Sequence, residues 1–237
     1  MKILKQTVSI LCVKTGTKYS RLDLNRLQVM VERNCTLPFI IYCLTDNVDD
    51  LPEGFVGIKV DSTLDLEKYW WKICLFNLGW NETVLYFDLD IIIQKNFDYV
   101  FDNIKENSIK CLDTSNVGTY YPYDGRKDNI LIIPPVTINS SIMLFNPSFQ
   151  KHLFDLFMVN PDYNMVKWWG FDRFIEHNSK DITLFDYRKD YYLRAKGVDK
   201  YDPRYTKTGL THDPRKTFCI MNQCKPEHYI GLEKYFI

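Results

Sequence analysis

Alanine is nearly missing from this 237-residue chain, where Ala195 is the sole example. Together with abundant Ile, Lys, Asn and Tyr, that points to an AT-rich genome and bears on source, not function. Charge of one sign is missing too. Thirty Lys and Arg balance thirty Asp and Glu, so neither nucleic acid nor an anionic membrane is an expected partner. No apolar run approaches the ~20 residues that span a bilayer. The start, Met1-Lys2-Ile3-Leu4-Lys5-Gln6, lacks the apolar stretch of a signal peptide. The expected setting is therefore cytoplasmic and reducing, and the sequons at Asn34, Asn81 and Asn139 carry little weight. The seven cysteines form no CxxC pair for zinc or redox chemistry. Several sit in apolar runs as small hydrophobes. Repeats, low-complexity tracts and linkers are absent, which makes residues 1–237 one expected domain with a sizeable core.

Aromatic residues are plentiful, at 15% of the chain. One apolar run stands out: Val84-Leu85-Tyr86-Phe87-Asp88-Leu89-Asp90-Ile91-Ile92-Ile93. It reads as a buried strand that carries two aspartates. In an extended chain, positions two apart face the same way, so Asp88 and Asp90 would project together. Two buried, unpaired carboxylates are costly, and a hard divalent cation suits their oxygens. The alternative is a strand end where both acids meet water, or a nearby Lys or Arg.

Around that run, strands and helices alternate. Strands are predicted at Val8–Val13, Phe39–Leu44, Phe55–Val60, Ser108–Leu112, Thr137–Phe145 and Ile182–Phe185, with a last short one at Phe218–Met221. A helix capped by Ser20 carries Leu22, Leu24, Leu27 and Val31. A second spans Asp65 to Leu78, with Leu66, Tyr69, Trp70, Ile73 and Phe76 on one stripe and Lys72 at its edge. For Lys72 the plain alternative is a snorkelling lysine. A short helix is expected over Asn96 to Ile104, one after Pro147 at its first position, and another near Asp172. The pattern predicts an α/β fold with a mostly parallel sheet. Such sheets bind ligands beyond the carboxyl ends of their strands, where the loop Lys14 to Tyr19, the Thr45-Asp46 turn and Asp88/Asp90 would meet. That first loop lacks the GxxxxGK[ST] of a P-loop. The stretch from Asp113 to Pro135, with Tyr120-Tyr121-Pro122-Tyr123, is either a functional excursion or an irregular surface loop.

Taken in order, several segments resemble a GT-A glycosyltransferase of the glycogenin and galactosyltransferase (family 8-like) group. They are Cys12 to Tyr19, Cys43-Leu44-Thr45-Asp46, Trp70 to Phe76, Asp88-Leu89-Asp90, Asn139-Ser140-Ser141-Ile142-Met143, Gly170-Phe171-Asp172 and Lys225-Pro226. The resemblance covers roughly the first 180 residues and implies a Rossmann-like GT-A domain. Its nucleotide-binding part would take in about 1–112 and its acceptor side about 113–237. It further implies that Asp88 and Asp90 hold Mn2+ or Mg2+ against the diphosphate of a nucleotide sugar. Lys14, Thr15, Tyr19 and Asp46 would surround base and ribose. Lys72 and Lys225 would reach phosphate or sugar, and Asn139 and Ser140 the transferred sugar. Asp172 would lie by the donor sugar and acceptor. The chain departs from the family where Asn222 replaces the usual histidine as third metal ligand, with His212 and His228 as alternatives, and where Asp172 is the single acid left after Gly170.

The expected activity is transfer of a sugar, UDP-linked by preference, to a glycan or other hydroxyl acceptor, with retention of configuration. Asp172 and Asn139 are the candidate catalytic groups. A non-catalytic nucleotide-sugar or glycan binder on the same fold is the alternative. A haloacid-dehalogenase-type phosphatase fits less well, because its Asp-x-Asp lies near the N-terminus. A homodimer stays open.

Overall fold

A computed structural model describes residues 7–102, 105, 107–115, 136–186, 190–195, 198–199 and 217–223, without the side chains of 192–195, 198–199 and 219–223. The main sheet contains β1 (Val8–Lys14), β2 (Phe39–Thr45), β3 (Phe55–Lys59), β4 (Val84–Phe87), β6 (Ile109–Asp113), β7 (Ile138–Phe145) and β8 (Ile182–Phe185). Their order is β3-β2-β1-β4-β7-β6-β8. All neighbours are parallel except at β7, which runs against both β4 and β6. The α/β, mostly parallel expectation therefore holds.

Strand alternation divides the core between the two faces. From β1 and β4, Ile10, Cys12, Leu85 and Phe87 pack on one face, with Leu24, Leu27, Met30 and Val31 of helix α1 (Arg21–Asn34). Leu11, Val84 and Tyr86 pack on the other, with Leu153 and Phe157 of α2 (Pro147–Met158) and Phe171, Phe174 and Ile175 of α4 (Phe171–Asn178). At the start of α1, the Asp23 carboxylate accepts the Ser20 N–H at 2.8 Å and its hydroxyl at 2.9 Å, satisfying an end the sequence marked. An additional helix, α3 (Pro161–Trp168), closes in a left-handed Trp169 at φ 49°.

The expected continuous strand from Val84 to Ile93 is broken. β4 stops at Phe87, Asp88-Leu89-Asp90 turn, and β5 (Ile91–Ile93) joins a second sheet of order β10-β9-β11-β5. There β9 is Tyr191–Ala195, β10 Val198–Asp199 and β11 Cys219–Gln223. Every residue of β4 and β5 is buried, so apolar patterning alone cannot reveal the change of sheet. The two sheets are tied through α1. Asn34 Nδ2 donates to the Met30 carbonyl at 2.8 Å and to the Ile93 carbonyl at 3.2 Å. Asn34→Ala is expected to cost about 1–3 kcal/mol, because the buried Ile93 carbonyl loses its side-chain donor. A urea midpoint equal to that of the native protein would contradict this.

The segment read as a helix from Asp65 to Leu78 winds instead as 3-10 turns over Lys68–Asn77. Long 3-10 runs are uncommon, and side chains three apart eclipse along them. Burial follows that period: Trp70, Ile73 and Phe76 form one buried column, Lys72 and Leu75 a second, while Trp71, Cys74 and Asn77 lie further out. Two buried columns fit between the sheet and α2 where a single helical stripe would serve one. The helix expected over Asn96 to Ile104 shortens to a 3-10 turn at Asp98–Phe101.

Candidate active site

The site lies at the carboxyl ends of β1, β2 and β4. Because β7 is antiparallel, its first residues continue past the end of β4: Phe87 pairs with Ile142, and the Asp88 N–H donates to the Ser141 carbonyl at 2.8 Å. Asp88 therefore leaves the sheet beside Asn139-Ser140-Ser141.

Asp88 is well partnered. Lys72 Nζ lies 2.7 Å from its Oδ1, and the Tyr86 hydroxyl donates to the same oxygen at 2.5 Å. Burial alone would raise its pKa. The Lys72 charge and hydrogen bonds from Lys72, Tyr86 and Ser141 outweigh burial and hold the carboxyl below its ordinary value. Asp90 differs. Burial first, then the charge of Asp88, push its pKa up to about 6, against the opposing influence of Lys18, a Tyr19 hydrogen bond and Lys72. Tyr86, fully buried, was not singled out from sequence. Its position two before Asp88 on an alternating strand is the signal that could have found it.

Lys72 is 8% exposed and links Asp88 to β7. Its Nζ sits 3.5 Å from both the Ser140 carbonyl and the Ser140 hydroxyl. Asp172, in the first turn of α4, holds Ser140 from the other side: its Oδ1 accepts the Ser140 N–H at 2.9 Å and the hydroxyl at 2.5 Å. Asn139 Nδ2 approaches Asp172 Oδ2 at 3.4 Å, and its Oδ1 accepts the Ser141 N–H at 2.8 Å. Burial raises the Asp172 pKa against the pull of Lys72 and Ser140. Asp88, Lys72, Ser140, Asn139 and Asp172 thus form one connected polar cluster.

The β1 loop closes another side. Gly16, at φ +64°, donates its N–H to Asp46 Oδ2 at 2.7 Å, which fixes the loop to the end of β2. Lys14 is buried and pairs with Asp50 Oδ2 at 2.7 Å. Thr15 and Tyr19 are half-buried, with Tyr19 reaching Asp90. Asn222 follows Met221, whose partner Ile91 follows Asp90. The register thereby places Asn222 at the Asp90 end of the small sheet. Lys225, His212, His228, Tyr120, Tyr121 and Tyr123 lie outside the described residues.

Two carboxylates two residues apart, one held acidic by Lys72 and its hydrogen bonds and one raised by burial and then by its neighbour's charge, are a hard-oxygen donor set that suits Mn2+ or Mg2+. Among the described residues no group of three or more His, Cys, Asp or Glu gathers. No helix among them is long and apolar enough to cross a membrane.

Neither a family model nor a curated protein matches the sequence. Solved structures do match. The galactosyltransferase LgtC, solved with donor and acceptor sugar analogs, superposes at a TM-score of 0.60 with 12% identity over 92% of this chain and 88% of its own. The glycosyltransferase GlyE of Streptococcus pneumoniae TIGR4 gives 0.63 and 13% over 97% and 61%. Mouse xyloside xylosyltransferase 1 gives 0.54 and 11% over 92% and 98%. All are GT-A glycosyltransferases. This chain has the GT-A fold. At such low identity the likeness establishes the architecture, and the chemistry rests on the site itself.

Proposed function

We propose that this GT-A chain is a metal-dependent glycosyltransferase, moving a sugar from a nucleotide-sugar donor, UDP-linked by preference, to a hydroxyl of a glycan or other acceptor. The observation that carries the reading is the meeting of Asp88, Asp90, Lys72 and Asp172 where the GT-A sheet opens. A pair of acids at one end of a buried cation and a third acid behind it suit a diphosphate leaving group on one side and a sugar on the other.

Asp88 and Asp90 would hold Mn2+ or Mg2+, with Asn222 as a further oxygen ligand. The bound ion supplies a Lewis acid for the departing diphosphate. The residues of this chain do the rest. Lys72 and Lys225 add positive charge where the diphosphate develops negative charge. Asp46, Lys14, Thr15 and Tyr19 line the side for the nucleoside. Ser140 contacts the sugar, while Asp172 and Asn139 offer a carboxylate and a carbonyl to the positive charge growing at its anomeric carbon. The bond from that carbon to the phosphate oxygen breaks, and the electron pair leaves with the diphosphate. The acceptor hydroxyl oxygen forms the new bond. With retention it enters on the face the diphosphate leaves, so the leaving phosphate oxygen is the base nearest its proton.

A second reading has one observation in its favour. Asp88 and Asp172 already accept hydrogen bonds from their own neighbours, as in a protein that binds donor without turning it over. A thermal-shift screen of UDP-, GDP-, CMP- and dTDP-sugars, with and without Mn2+, tests the shared premise. Stabilisation by a UDP-sugar that needs Mn2+ is expected; at a hundred times Kd it is about 2.7 kcal/mol. No shift with any donor would end both readings. Release of free nucleoside diphosphate then separates the transferase from the binder.

A further inference from the structure

Lys18 has no role in the proposed transfer, yet it stands beside Asp90 at the edge of the site. Its Nζ lies 3.9 Å from Asp90 Oδ2 and accepts no help from burial, since its side chain is 70% exposed. The same ammonium donates to the Tyr19 hydroxyl at 2.6 Å and sits 4.4 Å from the Tyr19 ring centre. The loop beneath it is fixed at Gly16 by Asp46. A long, exposed cation thus stands on a held loop, beside the aspartate that lacks the Lys72 contact.

The charges are matched as they stand: Lys72 on Asp88, Lys18 on Asp90. A divalent ion on Asp88 and Asp90 would add two positive charges to that balanced set and crowd Lys18. A diphosphate would bring negative charge to the same place. We propose that Lys18 is a counter-ion that exchanges partners: it occupies Asp90 before the metal arrives, gives it up to the metal, and turns to the diphosphate of the bound donor. This rests on the metal-diphosphate reading of Asp88 and Asp90. It predicts an ordering, in which the anion helps the metal to bind because it takes up the displaced lysine. Lys72 cannot play this part, because it is buried and held between Asp88 and Ser140.

Calorimetric titration tests this on the nucleotide-free protein, with Mn2+ alone and then with Mn2+ and inorganic pyrophosphate. Removing an exposed ion-pair competitor is worth a small factor. Lys18→Gln is expected to bind Mn2+ alone about three- to fivefold more tightly than the native protein. It should bind pyrophosphate in the presence of Mn2+ less tightly, by at least about the same factor, and both differences should shrink as salt rises. Lys105→Gln removes the same charge from a surface pair with Asp181, just before β8, and should change neither. If Lys18→Gln leaves Mn2+ affinity unchanged or lower, or leaves pyrophosphate affinity unchanged, the exchange is wrong while the metal reading stands. If the native protein binds no Mn2+ that Asp90→Ala abolishes, the metal reading and the exchange fall together.

Discussion

Asp90→Ala is expected to lower Mn2+-dependent donor turnover about a thousandfold, ~4 kcal/mol of transition-state stabilisation, while the protein stays folded. The two aspartates are not equivalent in what their removal does. Asp88 accepts Lys72 and Tyr86 and sits at the seam with β7. Its replacement by alanine leaves a buried ammonium without its carboxylate, a loss of about 3–5 kcal/mol. Activity lost in Asp88→Ala therefore mixes chemistry with unfolding. Asp90 has an exposed lysine as its ion-pair partner, and such pairs contribute at most about 1 kcal/mol. Removing it also relieves the repulsion from Asp88 that, after burial, lifts its pKa. The thermal midpoint of Asp90→Ala should stay close to native in metal-free buffer and should no longer respond to Mn2+. Native turnover with an unchanged Mn2+ dependence in Asp90→Ala would remove the aspartate pair from the mechanism.

The contrast between these two residues marks how far the sequence could be read. Asp88 and Asp90 stood out because carboxylates are rare in an apolar run, and the cost of burying them demanded a partner. What the pattern could not show was that the chain changes sheets between them. β5 has its ladder partner in β11, over a hundred residues later, and a three-residue apolar segment looks the same in either sheet. Lys72 was visible as a lysine at the edge of an aromatic stripe, which a snorkelling side chain would match equally well. Its true position follows from a three-residue period, and a helical reading blurs that period. β1 and β2 were legible to within a residue as short apolar runs bounded by polar residues, and α1 was legible at its start, which Ser20 marks. In the small sheet β11 was legible, overlapping the strand expected at Phe218–Met221, but β9 was not, because Tyr191–Ala195 lies in a polar tail where local pattern is weak and pairing with β11 decides the strand.

That three-residue period also locates the second large effect, at Trp70. The residue is 3% exposed. Its ring lies 5.0 Å from Phe157 of α2, and 6.2 and 6.3 Å from Phe171 and Phe174 of α4. Trp70 thus fastens the 3-10 segment to both helices. Trp70→Ala is expected to cost about 3–5 kcal/mol, from lost transfer energy and the cavity left behind. Against a total stability of about 5–15 kcal/mol, that is a large share. Urea unfolding measures it, and if the alanine protein does not fold, Trp70→Phe gives the reading. The phenylalanine keeps one ring for the cluster and should lose less, with a lower midpoint and an unchanged slope. A loss under about 1 kcal/mol in Trp70→Ala would mean that the segment is held elsewhere. The effect should also reach the site. Lys72 is two residues along the same segment, and its grip on Asp88 depends on where the segment sits against the sheet. In Trp70→Phe, the Mn2+-dependent stabilisation should therefore weaken along with the fold. An exposed substitution such as Tyr163→Ala on α3, where the residue is 57% exposed, should leave that response intact.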